Sequence, residues 1–395
     1  MSTALANIQG AISRNLRTGG IAFAFVLIVA LFAILTDGML LSPTNLTNLV
    51  LQYAYILILA IGMLIIIVGG HIDLSVGSVV ALTGAIAAIT TVKMGAPWWV
   101  GILAAIATGL AIGAWQGFWV AYVGIPAFIV TLAGMLLFRG LTLLVLDSRS
   151  LSPFPMEYGQ VGRGFLNGLL GGYGYDTFTL LVFGIAVVGY AWAGWRTRAA
   201  KIEYNQAVES VPVFFLKIVL IGAVVMWFAW QLATSRGLPI VLIVLAALII
   251  AYTMITKHSI FGRHVYAIGG NLAAAQLSGV RVKRVNFLMF LNMGFLASIA
   301  GIVFSSRSNT AQPAAGNMFE LDAIAACFIG GAAVTGGIGT IPGAMIGGLI
   351  MAVMSNGMSI LGIDQSTQQI VKGLVLLLAV GYDIWNKKRS GARAG

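Results

Sequence analysis

Residues 49–92 read LVLQYAYILILAIGMLIIIVGGHIDLSVGSVVALTGAIAAITTV. The first twenty or so positions are nearly all apolar, enough for a helix to cross a bilayer core, which takes about 20 residues. A second apolar run starts at Leu74. Between the two stand Gly69-Gly70-His71-Ile72-Asp73, an imidazole and a carboxylate set between two membrane-length segments. The rest of the chain repeats the apolar theme.

The 395 residues are 59% hydrophobic and 8% charged, with mean hydropathy +0.99. A soluble domain carries about 25% charged residues, so this chain cannot coat a water-facing surface. A soluble enzyme, a disordered chain and a secreted disulfide scaffold are excluded, leaving an all-α polytopic membrane protein. Cys327 is the only cysteine and lies in an apolar run. The three histidines, His71, His258 and His264, are scattered. No disulfide, metal cluster or cofactor site is expected.

Apolar runs place about twelve spans at 19–36, 49–69, 74–92, 98–122, 125–146, 178–195, 213–232, 239–255, 286–304, 321–336, 338–358 and 367–384. The first reads as an uncleaved anchor, because no small-x-small cleavage site follows it. Residues 1–18 form an N-terminal tail, 19–385 one transmembrane domain and 386–395 a basic tail. An even number of spans puts both termini on one side.

Charge gives the orientation. With the N-terminus inside, fifteen basic residues are cytoplasmic: Arg14, Arg17, Arg196, Arg198, Lys201, Lys217, Lys257, Arg263, Arg281, Lys283, Arg284, Lys387, Lys388, Arg389 and Arg393. Five lie outside, namely Lys93, Arg149, Arg163, Arg236 and Arg307. The positive-inside rule therefore sets both termini in the cytoplasm. It also accounts for the net charge of +11 without nucleic acid. Trp98, Trp99 and Trp385 fall at span ends, as in an aromatic belt.

Two segments lie outside the spans. The outer loop 147–177 carries Pro153, Pro155 and many glycines, and the inner segment 256–285 contains Asn271, positioned to cap a helix 272–278 that Gly279 ends. That short helix reads equally as a connector or a docking element. Spans two to five (49–146) and nine to twelve (286–384) have nearly equal length and opposite starting sides, the pattern of an inverted repeat.

Asp73 reads either as a cap, assisted by Ser75, for a helix starting at Leu74, or as a group contacting substrate or handling protons. Glu320 and Asp322 open the tenth span, where carboxylates suit the positive end of a helix dipole. Gly339, Gly343 and Gly347 recur every four residues, as in a close helix–helix seam. Arg139 and Lys372 lie near the outer boundary, within reach of headgroups by snorkelling. Neither a P-loop, a His-Glu-x-x-His pair nor a nucleophile elbow is present, and no series of carboxylates runs through the spans.

The stretch Gly70-His71-Ile72-Asp73-Leu74-Ser75-Val76-Gly77-Ser78 resembles the signature of permease subunits of bacterial monosaccharide ABC importers, relatives of the branched-chain amino-acid permeases. So do Gly262-Arg263 through Gly269-Gly270-Asn271 to Leu277-Ser278-Gly279, then Gln312-Pro313 with Phe319–Ala326, and Val371-Lys372-Gly373. These motifs cover most of 45–146 and 239–384. Shorter ribose-type members lack most of 178–235, so the added hairpin and the histidine before Ile72-Asp73 look more like the xylose or multiple-sugar branch. The resemblance implies a type II-like importer core of about ten helices plus that helix pair, in the bacterial inner membrane. It implies a homodimer with an ABC ATPase subunit inside and a periplasmic sugar-binding protein meeting outer loops such as 305–320. Residues Gly262, Arg263, Gly270, Asn271, Ala274, Leu277, Ser278 and Gly279 would couple to the ATPase. His71, Asp73, Ser75, Glu320 and Asp322 would lie near the pathway or at helix ends. The implied activity is passage of a monosaccharide, with a branched-chain amino acid or a stand-alone secondary transporter as the alternatives.

Overall fold

A computed structural model describes the backbone of residues 2–391 and the side chains of 19–381. The basic side chains at Arg14, Arg17 and 387–393, with Trp385, lie outside the described side chains. The chain runs through α1 (Ser2–Leu35), α2 (Pro43–Val68), α3 (Val76–Ala88), α4 (Trp98–Phe118), α5 (Ala127–Val145), α6 (Met156–Arg163), α7 (Thr177–Glu203) and α8 (Val211–Ala233). It continues through α9 (Ile240–His258), α10 (Ile260–Gly270), α11 (Leu272–Leu277), α12 (Val282–Ser308), α13 (Phe319–Ile329), α14 (Ile341–Ile360) and α15 (Gln365–Gly391). Single π-helical turns extend α3 to Lys93 and α4 to Val123. Among the described residues the only sheet is one antiparallel pair, Phe165–Leu166 with Leu238–Pro239.

Nine helical segments among the described residues are long and apolar enough to cross a membrane, and Gly19–Leu35 adds a shorter apolar stretch. The core is α2, where Ile58, Leu59, Ile61, Met63 and Ile66 are fully buried. A helix apolar on all faces must be surrounded, and α2 touches α8, α9, α12, α13 and α14. Its antiparallel neighbour is α12: Gly62 abuts Met293, while Tyr55 meets Phe304 edge-on at 5.2 Å.

The tenth expected span, 321–336, differs from a full crossing. α13 has eleven residues, about 16 Å of helix, roughly half a hydrocarbon core. Gly330 and Gly331 (φ +87°) end it. The apolar residues that follow form an irregular link to α14. That link is tolerated because protein supplies its partners, Gly337 N–H donating to Val68 O at 2.8 Å and Ala333 N–H to Ile338 O at 2.9 Å. Hydropathy registers the apolar composition of 332–338 but not its backbone shape.

The pattern of contacts repeats between the two halves. α12 packs on α3 and α4, and α2 packs on α13 and α14. α3 and α13 are the short second members of each set, each following a non-helical stretch, 69–75 and 309–318. Two helices were not legible in the sequence: α10, within 256–285, and α6, within 147–177. α6 is held by Tyr158, fully buried with its hydroxyl 2.9 Å from Ser305 Oγ.

Candidate functional site

The segment 69–75 turns back into the bundle after α2. His71 N–H still donates to Ile66 O at 3.0 Å, and from there the chain runs without regular secondary structure to Ser75. Asp73 is 1% exposed and Ser75 fully buried. The helix that follows begins at Val76, not Leu74, and Ser75 is its N-cap without a side-chain cap bond. Asp73 therefore does not cap α3. Its Oδ1 accepts the Ser75 N–H at 2.8 Å and the Ser75 hydroxyl at 2.7 Å, and Ser75 Oγ accepts Gln116 Nε2 at 2.6 Å. A buried carboxylate needs such donors, and here they tie the polar motif to α4. His71 stays outside this network; its Nε2 is buried without a partner, and its ring centroid lies 5.9 Å from that of Phe290.

The first turns of α3 and α13 meet inside the bundle. A Cβ at Gly77 would fall 2.1 Å from Gly316 O and 2.4 Å from Glu320 Oε2. A Cβ at Gly316 (φ +72°) would fall 1.9 Å from Gly77 O. Only glycine permits this approach at both positions. Glu320 thus leans over the first turn of α3, where the helix dipole favours an anion. Glu320 and Asp322 both stand in the first turn of α13, the positive end of its dipole, while the N-cap residue is Met318 (φ +66°), with no side-chain cap bond.

Asp322 instead meets Lys372 of α15, Nζ lying 3.1 Å from Oδ1 and 3.3 Å from Oδ2. Lys372 does not snorkel outward. Neither does Arg139, whose Nη1 donates to Pro313 O at 2.9 Å and also to Ala315 O. Both cations turn inward because carbonyl and carboxylate partners wait there. Arg139, Gln116 and Gly316 lie outside the quoted motifs, and those motifs contain Lys372 and Gly77 without indicating the partners they meet here.

Beside this junction lies a cavity of about 530 Å³ between α2, the 312–322 segment, α14 and α15. Tyr53, Tyr55 and Phe319 supply aromatic wall, Gln312, Gln365 and Gln368 supply amides, and the Asp322–Lys372 pair closes one side. Tyr55 and Phe319 lie 4.3 Å apart at 32°, and Phe304 meets Phe319 edge-on at 5.2 Å. The volume suits a small organic ligand. Flat apolar faces next to amide donors and acceptors suit a molecule with ring C–H faces and many hydroxyls.

α10 and α11 form a capped helical pair. Ser259 Oγ accepts Gly262 N–H at 2.9 Å, and Asn271 Oδ1 accepts Ala274 N–H at 3.0 Å. Gly279 (φ +81°) follows Ser278, the C-cap of α11. Gly262 packs against the end of α9, with Ile255 O 2.4 Å from where its Cβ would be. Arg263 and Gly270 face outward, and Leu277 is 91% exposed. A Cβ at Gly269 would lie 1.7 Å from Val68 O and 2.6 Å from Gly337 N. Tyr266 Oη donates to Gly339 O at 2.6 Å, and burial pushes its phenol pKa upward. This pair therefore touches both the end of α2, where the Asp73 segment begins, and the link after α13.

The three seam glycines do not share one helix. Gly343 and Gly347 lie on α14, facing Gly330 O and Ala326 O of α13, with Cβ distances of 2.3 and 2.0 Å. Gly339 lies in the link before α14 and packs on Leu64 and Val68.

Residues 45–155 and 164–380 match the family described as branched-chain amino acid transport system / permease component. The xylose transport system permease protein of Haemophilus influenzae is 42% identical over 377 residues, covering 95% of this chain and 98% of that protein. The Escherichia coli K12 protein of the same description is 41% identical over 386 residues, 97% and 95% of the two chains. The ribose import permease protein of E. coli K12 is 35% identical over 368 residues, 92% and 93%. No solved structure matches the chain.

Proposed function

The chain belongs to the branched-chain amino acid transport system permease family, and on that premise we propose that it is the membrane subunit of an ATP-driven importer carrying a xylose-like monosaccharide into the cytoplasm. The carrying observation is the likeness to xylose permeases along almost the whole of both chains. The chain breaks no bond in the sugar. It sits in the bacterial inner membrane with both termini inside, as a homodimer.

Energy comes from a separate ABC ATPase docked on α10 and α11. A pore responds to an ATPase only if it makes different contacts with two ATPase states. The rigid, capped pair 260–278 is suited to that, because Gly269 and Tyr266 carry its position to Val68 and to the 331–340 link. Those two places lead to the segments bearing Asp73 and Asp322. A periplasmic sugar-binding protein delivers substrate to the outer loops, including 305–320, and the cavity beside Tyr55 and Phe319 lies on the sugar's path.

Proteoliposomes holding this chain, its cognate ATPase and binding protein are expected to take up xylose only with ATP inside the ATPase compartment. Leucine uptake in place of xylose would overturn the substrate class. Uptake by the chain alone on an ion gradient would overturn the importer.

A further inference from the structure

The hairpin α7–α8 has no part in the junction described above. Its two helices pack on each other, α8 also touches α2, and almost none of their apolar residues are buried. Trp192 and Trp195 are exposed near the cytoplasmic end of α7, the position of an interfacial belt. Trp195 groups with Phe214 and Phe215 of α8 at centroid distances of 5.9 and 6.1 Å. Level with these rings lies a recess of about 350 Å³, lined by Thr197, Arg198 and Lys201 of α7, Phe214 and Lys217 of α8, and Glu209 of the loop.

Three bases face one carboxylate there. Glu209 Oε1 lies 3.5 Å from Lys217 Nζ, and the Glu209 carbonyl accepts from Arg198. Among the described residues no carboxylate stands within 4.0 Å of Arg198 or Lys201. The recess is therefore cationic, lies level with the exposed aromatic rings, and has apolar wall from Phe214 and Ile218.

We propose that this recess binds the phosphate headgroup of an anionic phospholipid, whose acyl chains lie along the exposed apolar faces of α7 and α8. Basic recesses between helices at the cytoplasmic boundary suit such headgroups, and the apolar wall with its flanking tryptophans favours a lipid over free phosphate. A bound lipid fastens a hairpin that the protein itself holds on one side only.

The test is native mass spectrometry and thermal melting of the purified full chain in detergent, with phosphatidylglycerol, phosphatidylcholine or inorganic phosphate as probes. The intact chain is expected to retain phosphatidylglycerol and melt higher with it than with phosphatidylcholine. Each base is worth about fivefold, so R198Q/K201Q/K217Q is expected to lose about a hundredfold in retention. The triple variant K257Q/K283Q/R284Q, with the same charge loss elsewhere, is expected to keep it. Glu209→Gln removes the competing carboxylate and is expected to raise retention. Equal loss in both triple variants, unchanged or lower retention in Glu209→Gln, or equal stabilisation by inorganic phosphate would each overturn the proposal.

Discussion

Lys372 Nζ on α15 lies 3.1 Å from Asp322 Oδ1 in the first turn of α13, with their side chains only 22% and 15% exposed. This pair joins the last long helix to a half-length one at the edge of the 530 Å³ cavity. Each charge is there because the other is. Removing either leaves an unmatched ion in a membrane protein interior, where it is expensive.

Asp322→Asn and Lys372→Met are each expected to cost roughly 3 kcal/mol, since one partner then stays buried alone. The double variant should lose much less than the two single costs added together. A double-mutant cycle on thermal unfolding in detergent measures this coupling. Additive losses would mean that the two groups do not stabilise each other.

Gly77 and Gly316 set how closely α3 and α13 approach. An alanine Cβ at either would lie within about 2 Å of the other's carbonyl oxygen, so the two backbones must separate. Gly77→Ala and Gly316→Ala are each expected to cost more than about 2 kcal/mol and to abolish uptake. At Gly316 the left-handed backbone adds about 1 kcal/mol. Gly140→Ala on α5 is the control, because a Cβ there meets nothing within 4 Å. Near-normal melting of Gly77→Ala would show that the junction is looser than this.

Asp364, just before α15, is fully exposed and accepts from Ser366 and Thr367, which holds its carboxyl well below the usual carboxylate range. Its folded pKa lies under the unfolded value of about 3.9. The cap is therefore complete above that value and is lost as pH falls through the lower folded pKa. Hydrogen-exchange protection of the first turn of α15, corrected for intrinsic rates, should stay constant from pH 8 to 5. It should fade only below about pH 4, and Asp364→Asn should flatten that decline. Loss of protection between pH 7 and 5 would contradict a depressed carboxyl.

The membrane class and helix positions were legible because hydropathy and length depend on neighbours along the chain. The Asn271 cap was legible for the same reason: its Ala274 partner is three residues away. The fate of Arg139 and Lys372 was not, since their partners at Pro313 and Asp322 lie 174 and 50 residues off. Asp73 looked like a cap because the helix start was read at Leu74. Two residues' difference in that start moves its carboxylate from the helix to the Ser75–Gln116 network. The break at Gly330 was hidden because the irregular link that follows is as apolar in composition as a helix.

Coupling to an ATPase is testable where α10 and α11 separate surface from lever. Leu277 is 91% exposed, so Leu277→Ser is expected to leave melting within about 0.5 kcal/mol of the parent. It should nevertheless weaken ATPase binding about tenfold, as an exposed apolar anchor does when truncated. Asn271→Ala removes the cap of α11, costing about 1 kcal/mol locally. Gly269→Ala acts on the lever, because its Cβ would overlap Val68 O. With the ATPase still bound, this variant should hydrolyse ATP without sugar stimulation and without uptake. Assays of binding, sugar-stimulated hydrolysis and uptake on one preparation separate the two defects. Tight coupling retained in both Leu277→Ser and Gly269→Ala would place the ATPase elsewhere on the cytoplasmic face.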